Sequence, residues 1–165
     1  THFGHRNILN LEEDRWSSFS SIEERDEYIV QQWNSVVSEG DRVYHLGDVA
    51  MPRGALRKYL PQLNGRIKLV SGNHDETTYS LLKDYVDGVV GAKKIAGNVL
   101  MTHFPVHPQQ IDAGRLKYNI HGHMHEFTID DPRYYSVSIN QLEDCKPIEI
   151  NDLLNKLREL NGDTG

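Results

Sequence analysis

The sequence predicts an α/β protein in which a mixed β-sheet, or a pair of sheets, is flanked by helices. Three observations carry this expectation. Strand-like and helix-like runs alternate through the first half of the chain, and hairpin signals dominate the second half. Strand-like runs also stop, again and again, at a residue type that ligates metals, which suits sheets whose ligands gather at the carboxyl ends of strands.

The elements follow in order. Ser21 with Glu24 forms a capping box, and Ile22, Ile29, Trp33, Val36 and Val37 recur near helical period before Gly40, so a helix is expected there with one face on a sheet. "RVYHL" (Arg42 to Leu46) reads as a strand running into Gly47 and Asp48. "ALRKYLPQLNG" is a weaker helix broken at Pro61 and ended near Gly65. "RIKLVS" (Arg66 to Ser71) is the next strand, and Thr77 to Tyr85 a short helix. "KKIAGNVLMTH" reads as two strands around a Gly97-Asn98 turn, the second delivering His103. "KYNIHGHMH" is a strand ending in histidines, and "RYYSVSIN" (Arg133 to Asn140) alternates as a half-exposed strand. Asn151 is the expected cap of a last helix bearing Leu153, Leu154, Leu157 and Leu160.

Size and composition narrow the function. The 165 residues, 38% hydrophobic and 25% charged, suit one soluble domain over residues 1–165, with no linker, repeat or low-complexity tract dividing it. No apolar run approaches the roughly 20 residues that cross a bilayer, and no signal-peptide pattern opens the sequence. With Cys145 as the single cysteine, neither a disulfide framework nor a thiolate zinc site is available, and a reducing cytoplasm is the expected compartment. A net charge of -6 (18 basic against 24 acidic residues) leaves no basic face for extended nucleic acid. A bound phosphate would need local positive charge, and nine histidines point to metal ions as its source.

"GNHD" (Gly72 to Asp75) crowds an amide, an imidazole and a carboxylate at one turn that Gly72 lets close sharply. Asp48, Asn73, His103, His123 and His125 all follow strand-like runs, so one rim can gather them. Two ions about 3.5 to 4 Å apart need a ligand able to face both, and a carboxylate does this where an imidazole cannot, which makes Asp48 the expected bridge. Together with His2 the donors are nitrogen and oxygen with no sulfur. That set favours two borderline divalent ions, manganese first, with iron, nickel or zinc as alternatives, over calcium or magnesium alone.

Five motifs in order, "THFGH" (Thr1 to His5), "LGDVA" (Leu46 to Ala50), "GNHD", "THFP" (Thr102 to Pro105) and "GHMH" (Gly122 to His125), carry a resemblance. With them the sequence resembles the calcineurin-like metallophosphoesterase family from its first residue to about Asn140. The small stand-alone bacterial and phage phosphoesterases resemble it most, through "THFGH" and "VYHLGD". The resemblance implies mixed β-sheets packed as a sandwich flanked by helices, an αββα arrangement. It implies His2, Asp48 and His125 on a first metal, and Asp48, Asn73, His103 and His123 on a second. His74 would stand off the ions as general acid, with Asp75 orienting its ring. The implied reaction is hydrolysis of small phosphodiesters or phosphomonoesters by a metal-bridging hydroxide, without a serine or cysteine nucleophile. The non-enzymatic alternative is a protein-binding module on the same fold with an incomplete metal site. The family's first motif is Asp, any residue, His, after an apolar strand; Thr1 and His2 fill its last two places, so an apolar strand ending in Asp is expected ahead of Thr1.

The remaining polar residues carry two readings each. His5, Arg6 and Asn7 either meet the substrate phosphate or form a solvated loop. His45 and His121 either hold ligand rings from behind or are buried histidines satisfied by backbone. His107 is read as a surface residue ahead of a lining of the substrate mouth, Glu12, Glu13 and Asp14 as a solvated turn, Tyr134 and Tyr135 as strand faces ahead of a base-stacking platform, and the C-terminal leucines as packing ahead of partner recognition.

Overall fold

A computed structural model describes residues 1–163, apart from the side chains of Glu13 and Asp14. The helices are α1 (Ile8–Leu11), α2 (Glu13–Trp16), α3 (Ile22–Val36), α4 (Arg53–Tyr59), α5 (Tyr79–Leu82), α6 (Pro108–Asp112) and α7 (Ile150–Asn161). The strands are β1 (Arg42–His45), β2 (Arg66–Val70), β3 (Gly88–Val90), β4 (Ala92–Ile95), β5 (Val99–Thr102), β6 (Tyr118–His121) and β7 (Tyr134–Ser136). They form two sheets flanked by helices, one of order β1-β2-β3 and one of order β4-β5-β6-β7.

Local chemistry explains much of this. Ser21 caps α3 by accepting from Glu24 N at 3.1 Å, and the Glu24 carboxylate reaches back to Ser20 N at 2.8 Å. Ile22, Ile29, Val30 and Trp33 then face the core, whereas Val36, at the helix end, is 49% exposed. Pro61 ends α4 as expected, and a 3-10 turn continues over Leu60–Gln62. Gly97 and Asn98 take φ of 76° and 59° between β4 and β5, the antiparallel pair, so the predicted turn is a hairpin. The last helix is capped by Glu149, which accepts from Asn151 N at 2.6 Å, so the cap lies two residues ahead of the expected Asn151. The "RYYSVSIN" strand covers only Tyr134–Ser136 before a 3-10 turn begins at Ile139.

β1 and β2 run parallel, as do β5, β6 and β7. A parallel sheet presents all its carboxyl ends on one side, so the loops that follow these strands share a rim. Two apolar clusters support the arrangement. One joins α3, α4 and the first sheet through Ile29, Trp33, Leu56 and Leu69; the other joins β5, β6 and α7 through Met101, Ile120 and Leu157. Between the sheets lies a groove of about 530 Å³, walled by β1 on one side and by Ile120, Val137 and Leu153 on the other, and open to the rim at Asp48 and His103. No helix of the described residues is long and apolar enough to cross a membrane.

Candidate metal centre

Asp48, Asn73, His103, His123 and His125 lie within four residues of the ends of β1, β2, β5 and β6. His2 joins them because the N-terminal segment runs alongside the loop after β1: His2 N donates to Asp48 O at 2.9 Å and Phe3 N to Val49 O at 3.0 Å. Seven non-glycine described residues have positive φ, and four of them are His2, Asp48, His123 and His125. Side chains other than glycine enter that region only when surrounding contacts hold them there, and such strain concentrates at functional sites. Gly47 and Gly72 permit the close approach: a Cβ on Gly47 would stand 2.5 Å from His103 Nδ1 and 2.6 Å from Gly72 N.

The donor atoms fall into two groups that share Asp48. Ligand atoms of His2, Asp48 and His74 lie within 4.8 Å of one another, and so do those of Asp48, His103 and His123. Asp48 Oδ2 stands 3.6 Å from His2 Nε2 and 3.3 Å from His103 Nε2, so one carboxylate faces both groups. His125 is not in the first group, where His74 stands in its place; its ring lies 5.1 Å from that of His2, and Asn73 Oδ1 is 2.9 Å from His103 Nε2.

The His103 ring tests whether a cation fits. Its Nδ1 lies 2.7 Å from the Leu46 carbonyl oxygen and donates there. In the neutral ring, Nε2 would then turn a lone pair on two acceptors, Asn73 Oδ1 and Asp48 Oδ2. A cation among the three atoms converts that repulsion into coordination, so the donor set fits a divalent ion. Burial opposes the charged form of this ring, but hydrogen bonds with Asp48 and Leu46 outweigh it and raise its pKa, which marks the same need for positive charge. Burial also pushes the Asp48 carboxyl up, and the His103 and His74 hydrogen bonds bring it below the usual carboxylate range. Burial holds His2 and His123 below the ordinary histidine range, leaving neutral rings of the kind that ligate metals.

The remaining predicted residues divide. His74 is exposed at the rim, its ring 5.6 Å from that of His2, and its backbone N donates to Asp48 Oδ1 at 2.9 Å. Asp75 does not take the expected place behind the His74 ring. It is fully buried, and its carboxylate accepts from Asp48 N, Val49 N and Gly72 N at 2.8 to 2.9 Å. Those three bonds tie the GNHD turn to the loop that carries Asp48, because a buried carboxylate takes the backbone donors nearest to it. His5 lies beside His2 at a ring distance of 5.7 Å, whereas Arg6 and Asn7 are exposed where α1 begins.

His45 is buried and satisfied locally: Gly47 N donates to its Nδ1 at 3.2 Å, so Nε2 carries the proton toward Thr1 Oγ1. His121 is buried as well, its Nδ1 donating to Gly122 O at 3.0 Å. Both follow the backbone-satisfied reading. His107 is exposed and caps α6.

The acidic run holds the main departure. Glu12 is no solvated residue: its side chain is 8% exposed and its carboxylate bonds to His125 Nδ1, to Asn140 Nδ2 at 2.6 Å and to Trp16 Nε1 at 2.6 Å. The side chains of Glu13 and Asp14 lie outside the described ones. No sequence spacing announces a contact between residues 113 positions apart.

Residues 25–140 match the family model described as the calcineurin-like phosphoesterase superfamily domain. The chain belongs to this superfamily. An uncharacterized protein of Methanocaldococcus jannaschii is 29% identical over 168 residues, spanning 96% of this chain and 88% of that protein. The gene 66 protein of Mycobacterium phage L5 is 28% identical, spanning 98% of this chain and 94% of that one. The crystal structure of a protein of unknown function from Aquifex aeolicus aligns with a TM-score of 0.71 at 26% identity, covering 93% of this chain and 94% of the other. The calcineurin-like phosphoesterase chain thus spans most of the length of these relatives.

Proposed function

We propose that this chain is a dinuclear metal-dependent phosphoesterase acting on small phosphodiesters or phosphomonoesters. The observation that carries the reading is the shared Asp48 carboxylate between two groups of donors. His2, Asp48 and His125 would hold one ion, and Asp48, Asn73, His103 and His123 the other, with manganese the first choice and iron, nickel or zinc the alternatives. Ions bound there would supply Lewis acidity that activates water and neutralises phosphoryl oxygens, which answers how a chain of net charge -6 handles an anionic substrate.

The chain's own residues do the rest. The Leu46 carbonyl fixes His103 in the tautomer that leaves Nε2 for the centre. Asp75 and the His74 amide lock the position of Asp48 from the backbone side. His74, exposed at the rim, is placed to give a proton to the departing alkoxide, and His5 is close enough to His2 to contact the phosphate. Net acidity and the absence of a basic stripe favour a small substrate over extended nucleic acid.

The test is hydrolysis of a chromogenic phosphodiester with added manganese, with and without chelator, alongside elemental analysis of Asp48→Ala. Chelator-sensitive turnover, and loss of metal from both sites together in the variant, are expected. Two tightly bound metals per chain in Asp48→Ala would remove the bridging assignment, and no turnover with any divalent ion would remove the enzyme.

A further inference from the structure

We infer that Glu12 is a positioning residue for the metal centre, setting the tautomer and the orientation of His125. The inference rests on the reading of His125 as a ligand. It starts from an unusual carboxylate. Glu12 stands between the two short helices α1 and α2, far from the rim in sequence, yet its side chain is shielded from solvent and meets three donors from three segments. Oε1 takes His125 Nδ1, and Oε2 takes Asn140 Nδ2 and Trp16 Nε1, each at 2.6 Å. Both oxygens are occupied, so the carboxylate cannot rotate away from the histidine without losing the other two bonds.

The consequence for His125 follows from imidazole chemistry. A ring whose Nδ1–H donates to a carboxylate keeps its proton there and leaves Nε2 as the lone-pair nitrogen. That nitrogen belongs to a ring 5.1 Å from the His2 ring, on the His2 side of Asp48. The carboxylate also makes the imidazole a stronger electron donor. The backbone is gripped as well: Gln141 Nε2 donates to His125 O at 3.1 Å, and Arg15 Nη2 to Leu142 O at 2.9 Å, which ties α2 to the segment that carries Asn140. His125 sits at a φ of 52°, a conformation that such external contacts must maintain. The N-terminal helices therefore act as a brace behind the ligand that ends the GHMH motif.

The experiment is manganese titration of the metal-free full chain by calorimetry, for wild type, Glu12→Ala, Glu12→Gln, Asn140→Ala and His125→Ala. Glu12→Ala is expected to weaken one of the two ions by about 10- to 100-fold, the usual effect of losing a carboxylate behind a ligating histidine, and to leave the other unchanged. Glu12→Gln keeps one acceptor oxygen for Nδ1–H but turns its NH2 on the Asn140 and Trp16 donors, so it should recover only a small part of that loss. Asn140→Ala, which keeps the His125 and Trp16 bonds but loosens the carboxylate, should weaken the same ion by less than Glu12→Ala does. Hydrolysis should return toward wild type at saturating manganese in Glu12→Ala, so the loss appears in the metal requirement and not in the maximal rate.

Unchanged affinity in a folded Glu12→Ala would overturn the inference and leave Glu12 a packing residue. Unchanged affinity in His125→Ala would instead remove His125 as a ligand, a separate failure. Nitrogen-15 correlation spectra of the wild-type chain, recorded where the ring is neutral, need no variant: Nδ1–H with bare Nε2 is expected at His125, and the opposite tautomer would overturn the proposal.

Discussion

At the scale of single residues, the centre is built by placing side chains where the backbone resists placing them. His2, Asp48, His123 and His125 all occupy the left-handed region, and two of them are held by neighbours outside the donor set, Asp48 by Asp75 and His125 by Glu12 and Gln141. Asp75 is the clearest case, since its three backbone acceptor contacts carry no chemistry of their own. Asp75→Ala leaves three buried N–H groups without their partner and is expected to destabilise the fold by about 3 kcal/mol, a fall of about 6 to 12 °C in melting temperature. An unshifted thermal melt would show that water replaces the carboxylate without loss. His74 stands in a different position, near His2 and Asp48 yet exposed. His74→Ala is expected to spare a nitrophenyl ester and to slow an alkyl or nucleoside ester by a share of the roughly 10² to 10⁴ that proton donation supplies, with metal content intact. Equal losses on both esters would make His74 a phosphate-positioning group, and loss of one ion would make it a ligand.

At the scale of elements, what could be read from sequence was what neighbours in the chain decide. The capping box at Ser21 and Glu24, the Pro61 break and the Gly97-Asn98 turn are contacts within a few residues, and each stands in the structure. The strand ends that carry Asp48, Asn73, His103, His123 and His125 were legible for the same reason, each motif being contiguous. β3 escaped notice because Gly88–Val90 is three residues long and owes its strand conformation to pairing with β2. Glu149 displaced Asn151 as a cap because the chain reaches α7 in extended conformation there, a matter of tertiary path. The Glu12 contact with His125 belongs to the same class, since folding alone makes them neighbours.

A further long-range tie joins the end of α7 to β6: Tyr118 donates its hydroxyl to Asp163. Burial and this bond push the Tyr118 phenol up from 10 to about 12. Between those values the unfolded chain releases a proton that the folded chain keeps, so stability falls as pH rises through this window. Tyr118→Phe is expected to be less stable than wild type by about 1 kcal/mol below pH 10, and the gap should close as pH approaches 12. Parallel melting curves for the two proteins across that range would disprove the tie.

At the scale of the whole molecule, the two sheets do not meet fully. β1 pairs with β2 on one edge, and among the described residues no strand pairs with its other edge. That edge faces the groove of about 530 Å³, whose walls include Trp33, Val37, Met101, Ile120, Val137 and Leu153. An unpaired edge beside an apolar wall is a template for one more extended segment, whose backbone would bond to β1 while its alternate side chains enter the groove. Thr1 also lines this groove, within reach of the His45 ring at 3.2 Å, so a segment joined to its nitrogen would begin inside it. An apolar segment joined to Thr1 and ending in Asp, the pattern of the motif, is therefore the extension that tests whether this groove takes a strand. A chain carrying about five apolar residues and then Asp ahead of Thr1 should melt higher than the 165-residue chain and protect the β1 amides from hydrogen exchange. It should also hold the ion beside His2 more tightly, since the added carboxylate would arrive at the rim next to that ring. The same extension with the strand residues replaced by Gly and Ser keeps the Asp and the length but supplies no apolar face, and it should give none of these gains. If the two extensions behave alike, or if neither changes exchange at Arg42 to His45, the groove does not take a strand and must be filled in another way.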